Sequence, residues 1–238
     1  MSQVPQFSGN DTPAAIVDAA GGWLASELND EFRYLKSRRE ITRKAAGHSE
    51  TIVLQTSSRS RTGEGTWVTP RITVNDDRVR KWQAERRLIG MFATGGFIFN
   101  SMVVNLGLSD LELFGPLHER PDGHHISLVQ FREVALDDIM PNLKVLRSSP
   151  AVAAERLPDR WIVFPEPPFW WATVYGEPAA AKRFLARYFE ANPAGRRHFE
   201  TGRRLTDSSP EPSAVNNTLV AFGWSAVHSG ALGAEEPI

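Results

Sequence analysis

The chain has 238 residues, with 27 Lys and Arg against 28 Asp and Glu, a formal net charge of −1, and 41% hydrophobic and 23% charged residues. These values belong to folded globular proteins and exclude a collagen, a coiled-coil rod or a wholly disordered chain. There is no cysteine, which removes disulfides, zinc–thiolate centres and cysteine nucleophiles and fits a cytoplasmic protein. Residues 1–11 lack the basic-then-apolar pattern of a secretory signal, and no apolar run approaches the ~18 residues of a membrane helix. The expectation is a cytoplasmic protein without a membrane partner.

Charge is unevenly distributed. Residues 33–87 hold 14 basic and 6 acidic residues, a balance of +8, and the remainder holds 13 basic and 22 acidic, a balance of −9. A basic segment of this kind fits either a polyanion surface or a surface neutralised within its own fold.

Residues 1–11 read as a disordered leader. Thr12 and Pro13 start a helix, an N-cap acceptor followed by a residue whose fixed φ suits the first turn, and Ile16, Ala20, Trp23, Leu24 and Leu28 continue its apolar stripe. The Gly21-Gly22 pair weakens this helix at mid-length and points to close packing by another element. The period then changes to two. Strands are predicted around Phe32–Lys36, over Glu40–Lys44 and over Glu50–Thr56, the last two joined by a hairpin at Ala45–His48. Ser57–Gly65 has no apolar residue and reads as an exposed loop. Thr66–Val74 alternates again, with Pro70 arguing for an edge position or a bulge.

Asn75 or Asp76 caps a helix through Val79, Trp82, Arg86 and Ile89. Phe97–Leu106, apolar on both faces, reads as a buried central strand. His124–Phe131 is a fifth strand candidate. Val134–Val145 is a helix broken or kinked at Pro141, and Trp161–Phe164 is a short strand. Glu177–Ala191 is the most helical stretch, Thr206–Ser213 a linker, and Val215–Ala226 a last helix before a frayed acidic tail from Gly230. Strands early, helices late and no βαβ alternation predict an α+β fold with a mostly antiparallel sheet of about five strands. The expected organisation is a single domain over 12–229, with Pro150–Pro158 as the place for a subdomain split.

Phe32-Arg33-Tyr34-Leu35-Lys36-Ser37-Arg38-Arg39, followed by Ile52-Val53-Leu54-Gln55-Thr56-Ser57-Ser58, resembles a loose family of bacterial hypothetical proteins. In these a helix precedes a Phe-x-x-x-Lys-Ser-Arg turn and an Ile-x-x-Gln-x-Ser-type strand, with Trp67–Val74 and Trp82 filling the later places. The similarity covers residues 13–90. It implies an α+β domain, and some families of this look are associated with toxin immunity by analogy of fold alone; it supplies no catalytic residues.

Three constellations could carry function. The segment Trp161–Trp171 holds three of the seven tryptophans beside Pro165, Pro167 and Pro168. Tryptophan dominates interface hot spots, so Trp161, Phe169, Trp170 and Trp171 are candidate contacts for a protein partner. Arg38, Arg39, Arg43, Arg59 and Arg61 are the candidate nucleic-acid contacts, since phosphates need clustered cations. His118, Asp122, His124 and His125 have metal-ligand chemistry, although adjacent His124 and His125 point to opposite faces of a strand. No Gly-x-Ser-x-Gly elbow, phosphate-binding glycine loop or His-Glu-x-x-His motif occurs, and the adjacent pair His228-Ser229 makes no triad. The reading is therefore a non-catalytic binding protein with no cofactor, and the resemblance implies a bacterial protein of an immunity-like kind. Nucleic-acid association and a metal-dependent enzyme are the alternatives.

Overall fold

The computed structural model describes residues 3–28, 31–114, 125–206 and 217–238. The fold is α+β, with a mostly antiparallel sheet early in the chain and helices concentrated late. The strands are β1 (Arg33–Leu35), β2 (Glu40–Ala45), β3 (His48–Thr56), β4 (Thr66–Asp76), β5 (Phe97–Met102), β6 (Asp110–Phe114) and β7 (His125–Ile126). The helices are α1 (Pro13–Leu28), α2 (Asp77–Ala84), α3 (Leu128–Val134), α4 (Met140–Leu146), α5 (Pro150–Arg156), α6 (Glu166–Val174), α7 (Pro178–Ala191), α8 (Pro193–Arg203) and α9 (Thr218–His228). Sheet order is β1-β2-β3-β4-β6-β7, with β5 also paired to β4. The β6–β7 pair is parallel. Among the described residues no helix is long and apolar enough to cross a membrane.

The chain divides into two compact units, 1–74 with 100–147, and 75–99 with 148–238. The chain leaves the first unit inside β4 and returns to it inside β5.

In the first unit the Thr12 hydroxyl accepts from Ala15 N at 3.3 Å, the expected N-cap of α1. Ile16, Val17, Ala20 and Leu24 are buried. Gly21 lies under the ring of Tyr34 on β1, where a Cβ would overlap the ring, whereas Gly22 faces open space. The Tyr34 hydroxyl donates to Asp18 at 2.9 Å, which locks the ring over that glycine. Strands β2 and β3 pair Ile41 with Ile52 and Arg43 with Glu50, closing at Ala45 and His48 through Gly47 with φ +74°.

In β4, Val68, Pro70, Ile72 and Val74 are the buried set, as the alternation predicts. Pro70 is not at an edge: β4 lies between β3 and β6, and the register shift falls at Thr66/Trp67. The β6 pairing ends at Val68, two residues before Pro70. Strand β5 ends at Met102, and Val103–Leu106 turns into a 3-10 helix.

The predicted strand His124–Phe131 is replaced by the two residues of β7 and then by α3. A reciprocal capping box, Ser127 Oγ accepting from Gln130 N and Gln130 Oε1 accepting from Ser127 N, starts that helix. Helix α3 continues into α4 through a π-helical turn over Ala135–Ile139. The wide turn lies where Pro141 would otherwise collide with the carbonyl four residues earlier. The Asn142 amide donates to Asp138 O at 2.8 Å within this turn.

In the second unit, Asp76 caps α2 by accepting from Val79 N at 2.9 Å. The predicted strand Trp161–Phe164 is instead a 3-10 turn over Asp159–Trp161. The proline-rich run after it is the first turn of α6, whose N–H groups have no intrahelical partner to lose. Eight of its nine residues are buried, as expected of a helix apolar all round. Helices α8 and α9 cross so closely that a Cβ on Gly202 or Gly223 would overlap the other helix's backbone. Residues beyond Gly230, expected to fray, are held by the guanidinium of Arg203, which donates to the carbonyls of Gly233 and Glu236, both at 2.7 Å.

Candidate functional site

The interaction candidates prove to be core. Trp161, Phe169, Trp170 and Trp171 are each no more than 3% exposed. Trp170 packs against Trp82, Phe169 and Phe222 with ring centroids 5.0–5.6 Å apart, and Trp161 stacks on Phe99 at 4.7 Å. Rings placed this way present no surface to a partner, so the hot-spot expectation for this segment is corrected. The proline run that stiffens it serves helix entry, and the tryptophans supply apolar area to the second unit.

Of the metal candidates, His118, Asp122 and His124 lie outside the described residues, and His125 enters as part of the β7 backbone. Among the described residues no three His, Asp or Glu side chains are grouped to hold a metal ion.

The arginine candidates separate into two places in the first unit. Arg43 faces Glu50 across the β2–β3 pair, near the hairpin. The Glu50 side chain is fully buried and takes two hydrogen bonds of 2.7 Å from Arg147, with Arg43 at 3.4 Å and His48 Nε2 at 3.3 Å. Burial works to raise its pKa. The hydrogen bonds from Arg147, with His48 beside them, outweigh it and hold the carboxyl below its ordinary value. Arg43 also pairs with Glu31 at 3.5 Å. It is a structural cation of a buried network.

The other four gather at the opposite end of β3. Lys36–Arg39 forms a tight turn, in which Arg38 N donates to Leu35 O and Arg39 N to Lys36 O. Arg39 has φ +54°, a left-handed conformation that costs a non-glycine residue about 1–2 kcal/mol. Its carbonyl accepts from Leu54 N at 2.9 Å and its guanidinium donates to Thr56 Oγ1 at 3.2 Å. These two bonds tie the turn to the last residues of β3, from which the 57–65 loop departs.

That loop is polar but ordered. Ser60 Oγ accepts from Trp67 N at 3.1 Å and donates to Trp67 O. Arg61 and Gly65 exchange backbone bonds of 2.9 and 3.1 Å, and the Arg61 guanidinium donates to Ser58 O and Ser60 O. Arg38, Arg59 and Arg61 are exposed and Arg39 is half-buried. Lys36 is compensated by Asp18 at 3.4 Å, and Glu40 and Glu64 are the acidic residues of the turn and loop. The local balance is positive. Arg43 lies toward the hairpin end of β2, four strand residues from Arg39, about 13 Å at ~3.3 Å each.

Two aromatic residues near this end have partners of their own. Tyr34 is committed to Asp18 and Gly21, and the Trp67 ring covers Gly65. Three arginines of the basic segment that lie in the second unit are occupied there: Arg78 lies over the Tyr175 ring, Arg86 over the Trp82 ring, and Arg80 pairs with Asp77.

Two buried acids escaped notice in the sequence. Glu50 is one. Glu166, 4% exposed, is the other. It accepts from Phe92 N at 3.2 Å and Trp170 Nε1 at 3.3 Å, under the loop that also buries Gly90 against its carboxylate. Burial pushes its pKa up to about 7. No local signal distinguishes either acid from a surface glutamate, because the partners of Glu50 include Arg147 and those of Glu166 include Phe92, both distant in sequence. Comparison with known proteins finds no match: no family model, no curated protein and no solved structure is similar to this chain.

Proposed function

We propose that this chain is a binding protein that takes polyanions, a nucleic-acid backbone being the case to test, at the basic end of its sheet. The observation that carries the reading is the coupling of the Lys36–Arg39 turn to Leu54 and Thr56. It brings Arg38, Arg39, Arg59 and Arg61 to one end although twenty residues separate the pairs in sequence. The left-handed Arg39 adds support, because strain is retained where the surrounding structure over-determines a conformation, often at functional sites. Recognition would run through phosphate charge at these cations, and sequence preference would be weak.

The experiment is a titration of a single-stranded oligonucleotide over a range of salt concentrations. Affinity falls linearly in log–log terms, and the charge-reversal pair Arg38→Glu/Arg59→Glu lowers the slope by about 1–2, roughly one per phosphate contact removed. Binding that is absent, insensitive to salt or unaffected by the pair removes the reading. An acidic protein partner would meet the same four cations; capture of such a partner without oligonucleotide binding would turn the proposal to that ligand.

A further inference from the structure

Residues 86–96 join α2 to β5 within the second unit and form no regular element. Among the described residues, the stretch 87–95 makes no backbone–backbone hydrogen bond, and three side chains fasten the segment instead. Ser225 Oγ accepts from Ile89 N and donates to Ile89 O, both at 2.7 Å. Gln83 donates through Nε2 to Phe92 O at 2.9 Å and accepts at Oε1 from Gly96 N at 3.0 Å. Glu166 Oε1 accepts from Phe92 N at 3.2 Å. Phe92 and Ala93 are buried, whereas Met91 beside them is 57% exposed. Gly90 stands at one end of this stretch, and Gly95 and Gly96, with φ +90° and +68°, at the other, so both ends can turn. A surface loop held by a few side chains is the part of a fold that opens at least cost.

Of the three fastenings only Glu166 ionises. Both hydrogen bonds it accepts, from Phe92 N and from Trp170 Nε1 at 3.3 Å, go to Oε1, which leaves Oε2 to carry a proton. Gly90 lies so close that a Cβ there would stand 2.6 Å from Oε1. Burial sets the titration of this carboxyl, opposed by those two bonds, and no charged side chain of the loop or of α2, α5, α7 or α9 contributes to it. The charged groups of these elements are turned to other partners: Arg78 to the Tyr175 ring, Arg80 to Asp77, Arg86 to the Trp82 ring and Glu85, Arg183 to Glu155, Arg187 to Asp159 and Lys182 to Glu236. A carboxylate enclosed with two neutral donors lacks the solvation that water gives it. Water reaches it at least cost where the cover is fastened least.

We infer that residues 90–96 are a flap latched by the protonated Glu166 carboxyl: ionisation loosens the hold on Phe92 N, the flanking glycines turn, and Phe92 leaves its seat against Phe97 and Phe164. The device goes beyond polyanion binding and does not depend on it. Its sign follows from linkage. The carboxyl under the closed flap titrates at about 7, and an open flap returns it to its ordinary 4.5, so opening releases a proton between those two values. The opening equilibrium is lowest below 4.5, rises by up to about tenfold per pH unit towards 7, and is level above it.

The test is amide hydrogen exchange of the full chain across this pH range, each rate divided by its intrinsic value at that pH. Protection of the Phe92 amide should fall by about two orders of magnitude from pH 4.5 to 7 and then level off. Amides of α9 should remain better protected throughout, and dilute urea should leave Phe92 exchange unchanged, because a flap exposes little surface. Glu166→Gln removes the ionisation and should make the Phe92 profile flat. Ser225→Ala unfastens Ile89 without touching the carboxyl; it should raise Phe92 exchange about tenfold at every pH and keep the native slope, which leaves the question decidable if Glu166→Gln does not fold. Phe92 protection that is independent of pH, a native slope in Glu166→Gln, unaltered exchange in Ser225→Ala, or Phe92 exchanging only together with α9 overturns the inference.

Discussion

The carboxylate of Glu50 on β3 and the guanidinium of Arg147 at the end of α4 meet in a two-pronged contact of 2.7 and 2.7 Å across 97 residues of sequence. It joins the β2–β3 hairpin to the helical part of the same unit. Its energetic weight lies in what happens when one partner leaves: two arginines and a histidine then face an empty, dry position. Glu50→Ala should destabilise the first unit by about 3–5 kcal/mol, the usual cost of stranding buried charge. Because the folded carboxyl titrates below its ordinary 4.5, its contribution is present above that value and is lost as pH falls through the lowered folded pKa. Urea unfolding at descending pH checks both statements: the acid-side loss should be visible in the native chain and absent in the variant.

Glu166 has the opposite sign. Its folded pKa is raised from 4.5 to about 7, so stability is full below 4.5 and declines as pH rises through 7, by up to about 3 kcal/mol at ~1.4 kcal/mol per pH unit. Glu166→Gln keeps an acceptor for Phe92 N or Trp170 Nε1 and removes the ionisation. The variant's unfolding free energy should be flat across this range, and a slope equal to that of the native chain would disprove the assignment.

The adjacent glycines of α1 should respond in opposite directions. Gly21→Ala places a methyl group into the ring of Tyr34, which the Asp18 hydrogen bond prevents from swinging aside; a loss of about 1–3 kcal/mol is expected from overpacking. Gly22→Ala meets nothing within 4 Å and should stabilise by about 0.4–1 kcal/mol through lower chain entropy in the unfolded state. Thermal melts of the two variants measure the contrast directly.

Trp170→Ala tests whether the tryptophan-rich segment is a core element. Removing a ring with no exposed area, flanked by Trp82, Phe169 and Phe222, should cost about 3–5 kcal/mol and weaken the near-ultraviolet circular dichroism. A variant with native stability would instead make this ring a contact residue.

Much of the first unit and the start of the second were legible because their signals are local. Thr12-Pro13 marks a helix start, the alternation through Thr66–Val74 reports which side of a strand is buried, and Asp76 caps α2 as its position implies. The close approach at Gly21 was readable from the glycine, though not that Tyr34 makes it. Errors fell where local patterns compete. Ser127–Gln130 spells a capping box inside a stretch whose composition looks like a strand, and the prolines before Trp170 read equally as a stiff loop or a helix entry. Strand β6 and helix α8 were missed: β6 is a five-residue strand, and the glycine-containing sequence of α8 gains its stability by burying Phe199 and Gly202 against α9.

Composition and periodicity alone determined that this is an α+β chain with an early antiparallel sheet, because the spacing of apolar residues reports the period of the backbone that buries them. Tertiary structure alone decided which charges are spent and which are available. Arg43 and Arg39 are four residues apart on a short basic stretch, yet one is committed to a buried carboxylate and the other holds a turn at the far end of the strand. Charge acts through distance and dielectric, and neither is written in the order of residues.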